Sequence, residues 1–550
     1  MNEGARAPRA YTAEAFRADV TAGLTAAAVV IPKAMAYATV AGLPVQVGLY
    51  TAFAPLVAYA LLGTSRPLSV TTTTTIAILV AGNLAELGPV GPAELLAASA
   101  TLAVLVGVVL LAAGLLRLGF VANFISDPVL SGFKAGIGLV IIVDQIPKLL
   151  GVHIHKTGFF RDLVAIAGQL PETSVVTLAL GAGMILLIAA LEHFAPRAPA
   201  PLVAIAVAVA ASSWLGLPGM GVGTVGEVPR ALPSLVWPRL DLALALWPGA
   251  AGIALMSFTE SIAAARAFAQ PGEPRPQANR ELLAIGAANV AGGLFGAMAA
   301  GGGTSQTAVN RSAGARTQVT GVVVAALSVS TGLVLAPLIG GMPNAALAAV
   351  VVVYSVGLIQ PAEFREIRRF RRTETAWAFI ALGGVAVLGT LRGIVVAVVA
   401  SLLSLAQQAY DPPVYALGRK RGTDVFRPPS AEHSDDETWP GLLLVRTEGR
   451  LFFANAQRVG DKIWALIEAA RPSVLVLDCS GVSDFEYTAL KMLNEADESL
   501  RRSGVTLWLA ALNPEAFAAI ERSKVGQALG HGRMFFNLQR AVEQFERSRR

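Results

Sequence analysis

Two short stretches rich in threonine, serine and glycine stand where apolar sequence would be expected. Thr71–Thr75 opens one abbreviated apolar segment, and Gly301–Ser305 opens another. A helix that begins inside a membrane presents unpaired backbone N–H groups and the positive end of its dipole. Two such ends facing each other form an anion site, to which hydroxyl groups add donors. The pattern predicts an anion site; the alternative is that these residues only allow close helix packing.

Glu260 is the ionisable residue whose position most favours a functional role. It lies in the apolar stretch 253–268, among small hydroxyl residues and ahead of Arg266. A carboxylate inside a membrane is costly and by default indicates an ion or proton pathway. Protonation of Glu260 could therefore accompany the entry of an anion. The alternative is a structural hydrogen bond or an ion pair with Arg266.

Pro32 interrupts the first apolar segment and is followed by two polar side chains, Lys33 and Tyr37. A helix broken at proline can line a cavity with such residues. The alternative is a simple kink, with Lys33 extending its ammonium to the membrane surface. The sequence leaves both interpretations open.

The uneven distribution of charge indicates a membrane domain followed by a soluble domain. Of the 550 residues, 54% are hydrophobic; the first 410 carry 42 charged residues and the last 140 carry 38. This excludes a soluble multidomain enzyme and a disordered chain. The lone cysteine, Cys479, excludes an intramolecular disulfide. The net charge of +6 belongs to the membrane part, so we expect no nucleic-acid partner. No motif indicates an enzyme, a metal site or a cofactor.

Fourteen apolar segments are predicted between residues 20 and 410, in two sets of seven. They lie near residues 20–41, 48–62, 68–84, 93–116, 124–147, 174–194, 199–216, 246–268, 279–299, 303–313, 318–340, 343–360, 374–390 and 392–410. With the N-terminus inside, the N-terminal segment and the cytoplasmic loops hold sixteen basic residues and the outer loops six. The arginine-rich stretch Phe364–Arg372 is predicted to be one of these cytoplasmic loops. The chain is thus predicted to be a multi-pass protein of the inner (plasma) membrane, with both termini in the cytoplasm.

The two sets of segments predict an internal repeat, covering about residues 19–216 and 246–410. Thr74 and Thr304 open the corresponding short segments, 230 residues apart. Because seven is odd, the second copy must be inverted in the membrane. Paired short segments of this kind are typical of a transporter's binding site. Residues 1–18 are assigned to a cytoplasmic N-terminus and residues 19–410 to the transmembrane domain.

The C-terminal 140 residues are predicted to form a linker and a small α/β domain. Residues 411–440 are polar and proline-rich, which is typical of a spacer. Residues 441–550 alternate strand-like and helix-like patterns, which favour a layered α/β domain.

Many short motifs resemble those of the sulfate permease (SulP) family of anion transporters. They are Asp19–Leu24, Ile31–Ala38, Ala41–Pro44, Gly48–Tyr50, Pro55, Tyr59, Gly63–Arg66, Phe258–Ser261, Ala308–Asn310 and Ala313–Gln318. Residues 441–550 resemble the cytoplasmic STAS domain of the same family. The resemblance implies a seven-plus-seven inverted repeat divided into a core and a gate, a homodimer, and transport by alternating access.

The resemblance also implies which residues bind the substrate, between the third and tenth helices. The implied substrate-binding residues are Thr73, Thr74, Thr304, Ser305 and Gln306, with Glu260 beside them. Gly303 and Tyr37 are assigned to the same site. Many members carry arginine where this chain has Gln306. The absence of that charge disfavours an exchanger or channel of the chloride type. It favours a co-transported proton and a carboxylate substrate. Sodium-coupled members carry a hydroxyl where this chain has Ala264, which disfavours sodium.

The sequence therefore predicts a secondary active transporter for a small anion, with protons as the coupling ion and the lipid bilayer as its surroundings. Sulfate, bicarbonate and a C4-dicarboxylate remain open as substrates. An uncoupled anion channel or an anion exchanger is the alternative. In the STAS domain, Thr488 matches a phosphorylatable hydroxyl but Glu486 replaces the family's aspartate, so phosphorylation is not predicted.

Overall fold

A computed structural model describes residues 12–88, 91–124, 126–154, 158–196, 198–230, 232–270 and 273–549. The chain divides into two compact units, Met1–Leu402 and Leu403–Arg550. Of the predicted cytoplasmic segment 1–18, residues 1–11 lie outside the described part. The rest opens the first helix, whose N-terminus is capped by the Thr12 hydroxyl.

The first half of the membrane unit is helical apart from one short strand. Its elements are α1 (Ala13–Val40), α2 (Val45–Thr51), α3 (Ala54–Leu62), β1 (Val70–Thr71), α4 (Thr74–Ala85), α5 (Pro92–Leu115), α6 (Asp127–Leu150), α7 (Phe159–Gln169), α8 (Val175–Phe194) and α9 (Ala200–Leu215).

The second half repeats this order, again with one short strand before a short helix. Its elements are α10 (Ala243–Ala267), α11 (Ala278–Leu294), β2 (Gly301–Gly302), α12 (Thr304–Ser312), α13 (Val319–Val334), α14 (Ala336–Gly340), α15 (Asn344–Val356), α16 (Pro361–Phe370), α17 (Arg372–Leu388) and α18 (Thr390–Tyr410).

Each of the fourteen predicted segments coincides with a helix, a helix pair or a strand followed by a helix. Among the described residues, seven spans are long and apolar enough to cross a membrane, and shorter apolar helices accompany them. The arginine-rich stretch predicted to be a loop is instead the helix α16. Pro361 occupies its first turn, and the arginines and glutamates that follow are good helix formers.

The helices of the membrane unit pack as two bundles. The core bundle contains α1–α5 and α10–α13, and its tightest contact joins α5 to α11. A Cβ at Gly107 would lie 2.6 Å from the Gly286 carbonyl oxygen, so this approach requires glycine. The gate bundle contains α6, α8, α9, α15 and α17, and α18 packs on α17. The predicted core and gate division is thus confirmed.

The second unit is an α/β layer structure around one five-stranded sheet. Its elements are β3 (Val414–Ala416), β4 (Gly418–Arg419), β5 (Phe426–Arg427), β6 (Leu442–Leu451), α19 (Ala456–Ala470), β7 (Val474–Phe485), α20 (Tyr487–Arg502), β8 (Thr506–Ala510), α21 (Pro514–Glu521), α22 (Lys524–Leu529), β9 (Met534–Phe535) and α23 (Leu538–Arg549).

The sheet has the order β3-β6-β7-β8-β9, with β6 to β9 parallel and β3 antiparallel at the edge. Apolar side chains cover both faces, which is the arrangement expected of parallel strands between helices. The predicted α/β class is confirmed.

Residues 411–440, predicted to be a spacer, are instead folded into this unit. Within them, β3 extends the sheet, and β4 pairs with β5. Asp411 accepts a hydrogen bond from Arg458 (2.5 Å) and pairs with Lys462 (2.7 Å), and these cations lower the pKa of Asp411 to about 2. Proline content misled the prediction because proline is also compatible with short edge strands and turns.

Candidate anion site

The two short segments cross in the core bundle as a pair of antiparallel strands. Val70 pairs with Gly302 and Thr71 with Gly301. A Cβ at Gly302 would lie 2.8 Å from the Ser261 Cα, so only glycine lets β2 approach α10 this closely. Because α4 and α12 each begin directly after their strand, their N-termini meet at the crossing. The predicted pairing of the two segments is therefore present in the structure.

At the start of α4, Thr73 joins the helix end to Glu260. Its hydroxyl oxygen accepts a hydrogen bond from the Ile76 N–H (3.2 Å) and donates one to Glu260 Oε2 (3.0 Å). Thr73 and Glu260 are each 8% exposed. Thr73 is thus an N-cap that also holds the carboxylate of α10 beside the helix end. This hydrogen bond is the structural contact that the structure describes for the Glu260 carboxyl group.

The start of α12 is more open. The N–H of Gly303, the N-cap, donates to the Ser69 carbonyl (3.1 Å), which ties the helix end to the other segment. The next two residues, Thr304 and Ser305, are exposed although they lie inside the bundle. The backbone N–H groups of a first helical turn have no partner within the helix. Thr304 and Ser305 therefore offer backbone donors and hydroxyls to a ligand.

Lys33 and Tyr37 reach the site from α1. The Lys33 Nζ donates a hydrogen bond to Ser305 Oγ (3.3 Å), and Lys33 is 2% exposed. Tyr37 is buried and interacts with the side chains of Thr74 and Glu260. Of the two interpretations that the sequence left open for Lys33, the structure favours the one in which it lines the site. The signal in the sequence is a lysine one residue after the proline that interrupts an apolar segment.

Gln306 joins the first turn of α12 to the residues that precede α4. It is 2% exposed, and its Nε2 donates to the Thr72 carbonyl (3.2 Å) and lies 3.4 Å from Thr71 Oγ1. The side chain therefore holds the strand crossing together. The absence of arginine at this position does not leave the site without a cation, because Lys33 brings an ammonium to Ser305.

The exposure of α10 differs on the two sides of Glu260. Along the α10 face that carries Glu260, Met256 is 1% exposed, whereas Ala263 and Ala267, beyond Glu260, are exposed. The exposed end is the one at which α10 finishes. The exposed residues Ala263 and Ala267 of α10 and Thr304 and Ser305 of α12 are together called the vestibule.

Two buried carboxylates that the sequence did not single out as functional organise the motifs around the site. Asp19 accepts the backbone N–H groups of Arg316 (2.6 Å) and Thr317 (2.9 Å). Glu281 accepts the Tyr59 hydroxyl (2.8 Å) and the Thr64 N–H (2.9 Å). Each carboxylate is fully buried and satisfied by donors, which is typical of a structural role.

Comparisons with known proteins agree with this architecture. Residues 16–381 match the model of the sulfate permease family, and residues 433–541 match that of the STAS domain. A probable sulfate transporter of Mycobacterium tuberculosis is 34% identical over 548 residues, which is 98% of this chain and 97% of that protein. The chloroplastic sulfate transporter 4.1 of Arabidopsis thaliana is 28% identical and covers 96% of this chain and 80% of its own.

Solved structures share the fold. Murine Slc26a9, an anion transporter described in the inward-facing state, superposes with a TM-score of 0.87 at 24% identity, covering 98% of this chain and 92% of its own. The transmembrane domain of the cyanobacterial bicarbonate transporter BicA gives a TM-score of 0.61 at 24% identity. The superposition covers 71% of this chain and 98% of the BicA domain. The chain belongs to the sulfate permease family of anion transporters and carries a C-terminal STAS domain.

Proposed function

We propose that this protein is a secondary active transporter that moves a small oxyanion or (di)carboxylate together with protons across the plasma membrane. The observation that carries the proposal is the pair of facing helix ends, with Glu260 bound to the cap of α4 and Lys33 beside α12. Sulfate, bicarbonate and a C4-dicarboxylate are the substrates under test.

An anion is favoured because the space between the helix ends is flanked by hydrogen-bond donors and by the ammonium of Lys33, with Glu260 as the carboxyl group beside them. Two helix dipoles point their positive ends at it, and unpaired N–H groups and hydroxyls surround it. Lys33 adds a full positive charge. An anion with several oxygen atoms can accept donors from both helix ends at once. The names of the mycobacterial and plant relatives support sulfate, and that of BicA supports bicarbonate.

Proton coupling is favoured by the position of Glu260. An ionised Glu260 would repel an anion bound at the end of α4, because the two charges share a poorly solvated space. Protonation removes this repulsion, so a proton and the anion load together. The carbon side chain of Ala264, one turn after Glu260, provides no oxygen ligand for sodium.

Alternating access follows from the two bundles. The groups of the site lie on core elements, while α15 and the other gate helices pack beside them. Movement of the core against the gate would expose the same site first on one side and then on the other. With the predicted topology, the vestibule faces the cytoplasm.

Uptake by purified protein in liposomes tests the proposal. Labelled sulfate, bicarbonate and a four-carbon dicarboxylate are each offered with and without an inward proton gradient. Accumulation that requires the gradient identifies the substrate and supports coupling. Equilibration without accumulation favours the alternative, an uncoupled channel or an exchanger. If none of the three anions enters, the proposed substrate class is wrong.

Two further parts of the proposal concern the whole protein. We expect a homodimer, which light scattering of the detergent-solubilised protein would detect as twice the chain's mass. We also expect both termini in the cytoplasm, so that a tag at either end is protected from protease in intact cells.

A further inference from the structure

Lys33 lies where the two bundles of the membrane unit meet. Its helix α1 belongs to the core and packs against α15 and α9 of the gate. The Lys33 Nζ is 3.3 Å from Ser305 Oγ in the core and 3.6 Å from the centroid of the Tyr354 ring in the gate. One ammonium thus contacts a binding-site hydroxyl and a gate residue at the same time.

Glu192 completes the gate side of this contact. It lies on α8, near enough to Lys33 for their charges to interact, and its carboxylate also interacts with the Tyr354 side chain. On the gate side, the ammonium therefore lies over the face of the Tyr354 ring, which is a favourable partner for a cation removed from water. Glu192 is exposed and acts on the ammonium through the attraction of opposite charges.

An anion at the start of α12 would be a further partner for Lys33. Lys33 is 2% exposed, so contacts within the protein replace the water that would otherwise solvate its charge. An anion between the helix ends would lie beside Ser305 and therefore beside the ammonium. The anion and Glu192 carry the same sign of charge and compete for the same cation.

We propose that Lys33, Tyr354 and Glu192 form a latch that holds the gate against the core while the site is empty. A bound anion pairs with the Lys33 ammonium and so weakens the attraction of the ammonium to the gate. The two bundles can then move relative to each other. This inference rests on the proposed function because the proposed function identifies the anion. The contacts between gate and core in the empty protein do not depend on that identity. It makes the charge of the substrate the signal for the conformational change.

Cysteine labelling tests the latch without a transport assay. Cys479 is the only cysteine and is buried, so Ala263→Cys places one accessible thiol in the vestibule. The rate of its reaction with a membrane-impermeant maleimide reports how open the vestibule is. We expect sulfate to slow labelling of the full-length protein, because release of the latch lets the vestibule close.

Glu192→Gln and Tyr354→Leu, each added to Ala263→Cys, break the gate side of the latch. We expect labelling without sulfate to slow about fivefold, towards the sulfate-bound rate, because the open state loses a stabilising contact. The sulfate concentration that gives half of the effect should fall by about the same factor, since the competing partner is weakened. Tyr354→Phe keeps the ring and should give an intermediate result, which also controls for misfolding.

Lys148→Ala provides the matched control. The Lys148 Nζ, in the last turn of α6, also joins the gate to the core, by a hydrogen bond to the Thr39 carbonyl (3.2 Å). This contact does not involve the starts of α4 and α12. This variant should leave the half-saturating sulfate concentration unchanged.

The latch is wrong if Glu192→Gln and Tyr354→Leu label at the parent rate without sulfate, or if they weaken sulfate binding. Failure of the proposed function looks different: the unmodified protein transports none of the tested anions, whatever the labelling rates of the empty variants.

Discussion

The starts of α4 and α12 occupy equivalent places in the inverted repeat, yet one holds a carboxyl group and the other an ammonium group. At α4 the N-cap is a threonine, the end is buried, and its hydroxyl holds the carboxylate of Glu260. At α12 the N-cap is a glycine, the next two residues are exposed, and Ser305 holds the ammonium of Lys33. The internal repeat provides two helix N-termini with similar dipoles. The side chains around them place the carboxyl group of Glu260 at one end and the ammonium of Lys33 at the other.

This difference suggests a division of labour. In the proposed mechanism, the α4 end binds and releases a proton next to the anion. In the same mechanism, the α12 end receives the anion and connects it, through Lys33, with the gate. Substitutions at the two ends should therefore produce distinct defects, and loss of a charged side chain should cost more than loss of a hydroxyl.

Replacing Lys33 should have the largest effect. A hydrogen bond to a charged group contributes about 1.5–3 kcal/mol, so Lys33→Met should raise the KM for anion uptake by about 10- to 100-fold. Uptake kinetics in liposomes measure this change. Lys33→Arg keeps the charge and should lose much less. An unchanged KM in Lys33→Met would remove Lys33 from the site.

Replacing Glu260 should abolish coupling but not binding. For one proton per anion, a gradient of one pH unit supports about tenfold accumulation, and Glu260→Gln should reduce it to equilibration because glutamine cannot carry the proton. Exchange of labelled for unlabelled anion should persist. Gradient-driven accumulation by this variant would show that the proton travels elsewhere.

Replacing Thr73 should affect stability and coupling together. Loss of an N-cap typically costs about 1 kcal/mol, and Thr73→Ala also frees Glu260, so we expect uptake to slow about fivefold and the melting temperature to fall. Thr73→Ser retains the hydroxyl and should resemble the unmodified protein. Equal defects in both variants would argue against the hydroxyl as the cause.

Replacing Ser305 should have the smallest effect. Ser305→Ala removes a hydroxyl but keeps the backbone N–H and Lys33, and a neutral hydrogen bond contributes about 0.5–1 kcal/mol, so the KM should rise about two- to fivefold. The dependence on the proton gradient should not change. A coupling defect here as severe as that of Glu260→Gln would contradict the proposed division between the two ends.

Much of the architecture could be predicted because membrane segments leave strong local signals. Apolar runs located the helices, and the two short polar segments located the crossing of β1 and β2. The spacer prediction for 411–440 failed because strand pairing depends on a partner, here β6, that local composition does not reveal. The arginine-rich helix α16 was missed for a related reason, since high charge resembles a loop when amphipathic periodicity is not considered.

Within the site, the sequence identified residue types but not their directions. Gln306 was expected to bind the anion, and the structure adds that its amide donates a hydrogen bond to the Thr72 carbonyl in the strand crossing. In the sequence, Asp19 and Glu281 look like ordinary acidic residues near the ends of apolar segments. In the folded protein, backbone N–H groups donate hydrogen bonds to both carboxylates. The number of donors around each carboxylate, which separates Asp19 and Glu281 from Glu260, depends on the tertiary structure.

The sequence by itself determined that this is a multi-pass membrane protein with an inverted repeat and a soluble α/β unit, because hydropathy, charge bias and spacing are properties of local segments. Only the tertiary structure decided that Lys33 joins Ser305, 272 residues away, and that Glu260 joins Thr73, 187 residues away. Contacts over such separations depend on how the helices of both halves pack, and no local pattern encodes the direction in which a buried side chain points.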